Sequence, residues 1–142
     1  MKKLIGSFEE SLELRGVTEQ QWMDTFFPKV EVPECLKEYY ERQLKSRIAL
    51  EKLVWIIDVQ NQLNEWVADW ADGSQPKYAP WPDVVEDSSK PSGFGLSCDG
   101  YAGAYTAACV GSRLSVGSRE ECKHVFLTFT PLYEAWMLID KK

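Results

Sequence analysis

In the first half of the chain, apolar residues recur at three- and four-residue steps, which is the period of an amphipathic helix. The longest such run extends from Pro33 to about Leu63, and no glycine or further proline interrupts it. It predicts the main core helix, either as one long helix or as two with a break near residues 45–48. Two shorter helices are predicted before it, because Ser7 and Thr18 each open a capping-box pattern with Glu or Gln three positions later.

The second half of the chain changes to short extended patterns that are separated by turn residues. These patterns predict three strands, at residues 77–85, 93–97 and 109–116. Prolines within the first of these segments restrict it to the edge of a sheet. Residues 101–108 are small and polar, and they predict either a wide loop or the continuation of a strand.

A last helix is predicted after Ser118, which forms another capping box with Glu121. Pro131 is expected to kink this helix, because proline removes a backbone hydrogen bond and crowds the preceding turn. The apolar face of the helix is formed by Cys122, Val125, Phe126 and Phe129.

Together these patterns predict an α+β fold, in which N-terminal helices pack on a small antiparallel three-stranded sheet that is followed by a C-terminal helix. The length of 142 residues is that of a single domain. We expect a helical part over residues 1–63, an extended or sheet part over residues 64–117, and the C-terminal helix over residues 118–140.

The charge of the chain narrows the classes of partner. A net charge of −6 disfavours direct binding to a nucleic-acid backbone or to an anionic membrane. Residues 51–90 contain eight acidic residues and three lysines, so this segment holds five of the six excess negative charges. No apolar run approaches the roughly 20 residues that a membrane-spanning helix needs, so we expect no membrane association.

The cysteines and the histidine do not form a recognisable metal site. The four cysteines, at positions 35, 98, 109 and 122, contain no CxxC pair, and the chain has a single histidine. This composition fits no common zinc pattern, so we expect no metal and no cofactor. Free, buried thiols in a reducing cytoplasm are the simplest interpretation. The alternative is a disulfide between Cys98 and Cys109 across a hairpin.

No group of residues has the pattern of a catalytic site. His124 lies near no nucleophile in a recognisable motif, and we expect it to be structural or exposed. Paired carboxylates such as Asp69 and Asp72 are expected to form a solvated face. Gly93 and Gly95 lack the Lys-Ser/Thr of a phosphate loop, and they favour a close backbone approach or a bulge. An enzyme is therefore the least supported class of protein.

Large aromatic residues beside acidic ones form the main candidate site for a protein partner. Trp66 and Trp70 lie four residues apart, so they are expected to share a helical face. If these aromatic residues are buried, they cover the sheet. If they are exposed, the aromatic and acidic side chains together are typical of a protein-binding patch. The predicted partner-binding residues are Trp66, Asp69, Trp70, Tyr78 and Trp81.

Two arginines near the start of the last helix form a candidate site for a small anion. Arg119 lies where the backbone N–H groups of a helix favour anions, and neighbouring serines add hydroxyl groups. The alternative is that both arginines pair with carboxylates of the chain itself, such as Asp69, Asp72 or glutamates. The predicted anion-binding residues are Ser112, Arg113, Ser118 and Arg119.

Several short motifs resemble those of a known family. They are Asn64-Glu-Trp66 with Asp69-Trp70, Lys77-Tyr78 with Pro80-Trp81, Ser92-Gly-Phe-Gly-Leu-Ser97, Val110-Gly-Ser-Arg-Leu114 and Ser118-Arg-Glu120. Over roughly residues 50–138, the chain thereby resembles a family of small uncharacterised proteins of phages and mobile elements of Bacteroidetes-type bacteria. Pro131 departs from the pattern of that family, in which the C-terminal helix is unbroken. The resemblance implies a phage or mobile-element context and nothing about chemistry.

These observations lead to one main hypothesis of function and two alternatives. The main hypothesis is a small acidic, non-enzymatic binding protein of phage or mobile-element type. It would act in the cytoplasm of a bacterial host on a protein partner, as an inhibitor of a host or defence protein. The first alternative is a protein that binds or sequesters a small anion or nucleotide. The second alternative is a component of a virion or of its assembly. The oligomeric state stays open.

Overall fold

A computed structural model describes residues 1–80, 82–97, 101–104 and 112–138 of the chain. Trp81, Cys98 and Cys109 lie outside the described residues, so the role of Trp81 and the disulfide stay predictions. The helices in these ranges are α1 (Phe8–Leu14), α2 (Glu19–Phe26), α3 (Lys37–Leu63), α4 (Arg119–Thr128) and α5 (Thr130–Met137). The strands are β1 (Lys77–Pro80), β2 (Asp83–Glu86), β3 (Phe94–Ser97) and β4 (Tyr101–Ala104). None of the described helices is both long and apolar enough to cross a membrane.

The first two helices begin where the sequence predicts. Ser7 Oγ accepts a hydrogen bond from the Glu10 N–H (3.0 Å), and Thr18 Oγ1 accepts one from the Gln21 N–H (3.1 Å). These side chains satisfy backbone donors that have no partner within the first turn of a helix. Gly16 ends the first of these helices with a φ of 64°, in the left-handed region that glycine adopts without strain.

Helix α3 is continuous over 27 residues and has no break near residues 45–48. Its buried residues begin at Ala49, near the middle of the helix, and the others lie in the second half, where Leu53, Ile56 and Ile57 have at most 1% of their surface exposed. Before Ala49 the residues of the helix are exposed or only partly buried, and Tyr39 is 59% exposed. The predicted core helix therefore supplies the core mainly through its second half.

The strands form two antiparallel pairs, β1 with β4 and β2 with β3. In place of the third predicted strand, Ser112–Leu114 forms a 3₁₀ turn and Val116 makes a single bridge to Tyr78. The prediction of a strand is wrong there, because Leu114, Ser115 and Val116 are all buried, whereas successive side chains of a strand point to opposite faces. The combination of helices with antiparallel strands confirms the α+β class.

Pro131 divides the predicted C-terminal helix in two, which confirms the kink. α4 ends at Thr128 and α5 begins at Thr130, so Pro131 lies in a first turn, where a backbone N–H has no acceptor within its own helix and is not missed. The apolar face of α4 is buried as predicted. Contacts then place α5 along α3, where Ser46 Oγ donates to the Trp136 carbonyl (2.7 Å).

The extended segment before α1, at residues 3–5, forms hydrogen bonds with both α4 and the C-terminal end of α3. The Lys3 N–H donates to Asn64 Oδ1, and Asn64 Nδ2 donates to the Lys3 carbonyl, both at 2.8 Å. The Ile5 N–H donates to Gln60 Oε1 (3.2 Å), and the Ile5 carbonyl accepts from His124 Nε2 (2.7 Å). His124 therefore has a structural role, which is one of the two predicted for it.

Candidate functional site

Trp66 and Trp70 lie in a loop and not on a shared helical face. α3 ends because Glu65 adopts a φ of 53°, after which the chain turns back on the helix. The Trp66 N–H donates to the Asn61 carbonyl (2.9 Å) and the Glu65 N–H to the Gln62 carbonyl (3.1 Å), which together form a Schellman motif. The prediction of a shared helical face is wrong, because the helix ends before it reaches either tryptophan.

Trp66 is fixed against the backbone of Gly117, just before α4. A Cβ atom at position 117 would lie 2.6 Å from Cδ1 of the Trp66 ring, which is too short for two carbon atoms. Glycine is needed there, because it has no Cβ and lets the indole approach this closely. Trp66 is partly buried in this position, so it anchors the loop that follows α3.

The loop of residues 64–76, which we call the acidic loop, closes around the ammonium group of Lys77. This lysine is buried, with 1% of its surface exposed. Its Nζ donates to the carbonyls of Gln75 (3.0 Å) and Asp72 (3.3 Å). The centroid of the Trp70 ring lies 5.3 Å from Nζ, within the range of a cation–π interaction. Because a buried charge needs such compensation, the ammonium group holds the loop around itself.

Hydrogen bonds within the acidic loop fix its shape further. The Gln75 side chain spans the loop, since its Oε1 accepts from the Asp69 N–H (2.7 Å) and its Nε2 donates to the Val67 carbonyl (2.8 Å). Asp69 Oδ1 accepts from the N–H groups of Ala71 (2.9 Å) and Asp72 (3.3 Å). Ordered loops of this length that contain neither helix nor strand are uncommon and are usually functional.

The outer side of the acidic loop presents one apolar side chain together with carboxylates. Val67 is 80% exposed and therefore makes little contact with the rest of the protein. Glu65, Asp69 and Asp72 are exposed in the same loop. The loop thus displays negative charge to solvent, while the positive charge of Lys77 is buried beneath it.

The predicted partner-binding residues divide into supports and exposed groups. Trp66, Trp70 and Tyr78 are partly buried, and Asp69 is exposed. Tyr78 belongs to β1, where its backbone exchanges two hydrogen bonds with Val116 (3.0 and 2.8 Å). The aromatic residues therefore stabilise the acidic loop and the strand beside it, and the carboxylates face solvent.

The predicted anion-binding residues are partly occupied by contacts within the protein. Ser118 Oγ donates to Glu121 Oε2 (2.9 Å) and accepts from the Glu121 N–H (3.2 Å), so this hydroxyl is the N-cap of α4. Glu121 is fully buried and lies 3.8 Å from Lys2 Nζ, so its carboxylate is the anion that already occupies this end of the helix. Arg113 and Arg119 have exposed side chains. The geometry gives no support to anion binding here, and the site, including Ser112, stays a prediction.

The alternative, in which these arginines pair with Asp69, Asp72 or glutamates of the chain, receives no support for the two aspartates and stays a prediction for the glutamates. Within the described residues, neither Asp69 nor Asp72 forms an ion pair with Arg113 or Arg119. The Arg119 guanidinium lies 5.9 Å from the centroid of the Tyr78 ring.

No family model, no curated protein and no solved structure matches this chain. Within the part of the chain that the structure describes, no group of three or more His, Cys, Asp or Glu side chains is placed to hold a metal ion. The acidic loop is the candidate functional site because it is ordered around a buried ammonium group and carries exposed carboxylates.

Two aspartates in similar turns have lowered pKa values. The pKa of Asp72 is lowered chiefly because the Ser74 hydroxyl, and next the Ser74 N–H, donate to Oδ1 (2.6 and 2.8 Å). The pKa of Asp87 is lowered in the same way by the hydroxyl and the N–H of Ser89 (2.6 and 3.0 Å). Both carboxylates thus stay charged to a lower pH than ordinary aspartates.

The substitution Ser74→Ala is expected to raise the pKa of Asp72 towards its ordinary value, because it removes the hydroxyl donor. Folding lowers the pKa of Asp72, so its hydrogen bonds stabilise the folded protein at pH values above the pKa of the unfolded chain. This stabilisation is lost as the pH falls through the pKa of the folded protein. Carboxyl ¹³C NMR titrations of both proteins measure the change. Ser89→Ala is the matched control and should move Asp87 alone, so a shift of both aspartates in either variant would contradict the assignment.

Sequence reasoning missed two residues of this site. Lys77 determines the shape of the loop, and Val67 is its exposed apolar side chain. A lysine on an edge strand is normally a solvent-facing residue that discourages further strand pairing. A valine near a tryptophan pair is normally part of a core. No local signal marks either exception, because both depend on how the loop folds over β1.

Proposed function

We propose that this chain is a small acidic, non-enzymatic binding protein whose acidic loop binds a protein partner with a basic surface. The observation that carries the proposal is the burial of Lys77 Nζ beneath the loop, where two carbonyls and the Trp70 ring enclose it. Over this support the loop presents Val67 and three carboxylates to solvent.

The order of the loop favours binding, because a loop that already has one shape loses little conformational entropy in a complex. Burying Val67 against a partner contributes about 1–2 kcal/mol through the hydrophobic effect. The carboxylates of Glu65, Asp69 and Asp72 attract a basic surface over a distance of about 10 Å and speed association at low ionic strength. The apolar contact thus provides affinity, and the charges provide speed and choice of partner.

The biological setting in this proposal comes from the short motifs that resemble phage and mobile-element proteins. In that setting, an acidic protein without a catalytic role is suited to inhibit a host or defence protein by covering its basic surface. Such a surface is typical of proteins that bind nucleic acids. We therefore propose the cytoplasm of the bacterial host as the place of action and a nucleic-acid-binding host protein as the class of partner.

The substitution Val67→Ser tests the proposal in a pull-down with the tagged chain from a bacterial host lysate. We expect the amount of the retained partner to fall about fivefold or more, because the apolar contact is lost. Glu65→Lys should also lower retention, since it reverses a charge that makes no hydrogen bond within the described residues. Raising the NaCl concentration from about 50 mM to about 300 mM should weaken retention of the wild type.

The matched control is Leu127→Ser, because Leu127 is 59% exposed on α4, outside the acidic loop. This variant should retain the partner as the wild type does. Equal losses with Val67→Ser and Leu127→Ser, at unchanged melting temperatures, would refute binding through the acidic loop. Retention that is unaffected by Val67→Ser and by Glu65→Lys would do the same.

A further inference from the structure

A cleft of about 490 Å³ lies between the segment that joins α1 to α2, α2 itself, and α3. Its walls include the side chains of Trp22, Phe26 and Trp55. This volume is within the range of pockets that hold small organic molecules, which is about 300–1,000 Å³. The cleft shares no residue with the acidic loop, so an inference about it is independent of the proposed function.

Two tryptophans that line this cleft have a buried indole N–H group without a hydrogen-bond acceptor among the described residues. Trp22 has 1% of its surface exposed and Trp55 is partly buried. The Nε1 atoms of both are buried, with no partner in the part of the chain that the structure describes. A buried indole N–H normally has an acceptor, and leaving it without one costs about 1–3 kcal/mol. Two such groups around one cleft are explained together if a bound molecule supplies the acceptor.

Two acceptors of Gln21, which lines the cleft, are already used by the protein. The Gln21 carbonyl accepts from Thr25 Oγ1 (2.7 Å), and Gln21 Oε1 accepts from the Thr18 N–H (2.9 Å). Among the buried side-chain atoms of the residues that line the cleft, the two indole N–H donors are the ones without a partner within the described residues. A ligand that satisfies them must carry acceptors.

The charged side chains beside the cleft are balanced and do not select the charge of a ligand. Arg15 lies 4.8 Å from the centroid of the Trp55 ring and pairs with Asp58 (2.6 Å). Lys52 lies 3.8 Å from a carboxylate oxygen of Glu19. Since each cation has an anion beside it, shape and hydrogen bonding decide what binds.

Phe26 lies between the two indoles and covers them. Its ring centroid is 5.3 Å from that of Trp22 and 6.2 Å from that of Trp55. It is also 42% exposed and is the last residue of α2, so rotation of its side chain displaces little of the core. A planar ring that takes the place of the Phe26 ring would stack against the same indoles and bring an acceptor to their N–H groups.

We propose that this cleft binds a planar aromatic molecule that carries a carbonyl or carboxylate oxygen. The ring lies between Trp22 and Trp55 after the Phe26 side chain rotates outward. The oxygen accepts hydrogen bonds from the indole Nε1–H groups. The ligand class is defined by this combination of an aromatic ring with an oxygen acceptor.

The test uses the full chain, labelled with ¹⁵N, and two probes with the same ring. 2-Naphthoate carries oxygen acceptors, whereas 2-naphthylmethylammonium carries only donors. NMR resolves the indole N–H signals, and the variants Trp22→Phe and Trp55→Phe assign them. We expect 2-naphthoate to shift the Trp22 and Trp55 signals downfield, and to bind at least about fivefold more tightly than the ammonium probe, since one hydrogen bond is worth about that factor.

The variants separate hydrogen bonding from simple apolar contact. Trp55→Phe keeps an aromatic wall but removes one donor, so the affinity for 2-naphthoate should fall about fivefold. Trp136→Phe, on α5, is the matched control and should leave it unchanged. Phe26→Ala should bind at least as tightly as the wild type, because it removes the cover. Absence of shifts in both indole signals, equal binding of the two probes, or a large loss with Phe26→Ala would each overturn the proposal.

Discussion

Replacing Lys77 by methionine is expected to lower the free energy of unfolding by about 2 kcal/mol, which is the usual worth of hydrogen bonds to a charged group. Methionine keeps much of the apolar stem but removes the ammonium group that the carbonyls of Asp72 and Gln75 bind. Removing one member of a buried ion pair costs more, because it leaves a buried charge without a partner. That cost does not arise here, because the carbonyls are neutral and reach water when the loop opens. The main result should therefore be a disordered acidic loop on an intact core.

Hydrogen exchange measured residue by residue distinguishes this local opening from global unfolding. In Lys77→Met, the amide of Asp69, which donates to Gln75 Oε1 (2.7 Å), should lose its protection while amides of α3 keep theirs. Binding of the partner should weaken in this variant, because the acidic loop that binds it is no longer ordered. Lys90→Met is the matched control, since this exposed lysine pairs with Glu134 (3.3 Å) and is worth about 0–1 kcal/mol. Equal stability losses in the two variants would show that the buried ammonium group does not organise the loop.

The substitution Leu53→Ala should destabilise the whole protein by about 3 kcal/mol, the typical cost of removing a buried leucine side chain. Leu53 has no exposed surface and lies in the second half of α3, in the cluster that also includes Ile56 and Val125. The remaining side chains cannot fill the space, because they come from several helices that pack against one another. Chemical denaturation should show a lower midpoint with an unchanged slope.

Tyr39→Ala provides the comparison within the same helix. Tyr39 is 59% exposed in the first half of α3, so its loss should change the free energy of unfolding by no more than about 0.5 kcal/mol. A similar destabilisation by Leu53→Ala and Tyr39→Ala would mean that the first half of α3 is packed as firmly as the second. That result would contradict the division of this helix into a buried and an exposed half.

Features that depend on a few neighbouring residues were predictable from the sequence. The helix starts at Ser7, Thr18 and Ser118 each follow from a side-chain oxygen and the backbone N–H three positions later. The break at Pro131 follows from the missing N–H of proline. Such signals act within one helical turn, so they do not depend on the tertiary structure.

The end of α3 and the region before α4 were less predictable, because their signals are weak or depend on packing. Glu65 occupies a left-handed position that glycine or asparagine usually takes, so the sequence contains no sign that the helix stops there. The run at residues 109–116 alternates like a strand, but packing buries Leu114, Ser115 and Val116 together. In both places tertiary contacts outweigh the local preference of the chain.

The shape of the candidate site depends almost entirely on tertiary structure. The spacing of Trp66 and Trp70 is equally compatible with a helix and with a loop, and only the contact of Trp66 with Gly117 decides. The acidic composition of the loop was visible in the sequence. The burial of Lys77 was not, because it requires the loop carbonyls and the Trp70 ring to converge on one ammonium group.

The hydrogen bonds of Ile5 determine when this protein can finish folding during its synthesis. The Ile5 N–H binds Gln60, but its carbonyl binds His124, which the ribosome adds 119 residues later. Until α4 has emerged, the fully buried side chain of Ile5 lacks part of its final surroundings. The nascent chain therefore exposes apolar surface to chaperones and proteases for most of its translation, and a chain truncated before His124 lacks part of the surroundings of Ile5.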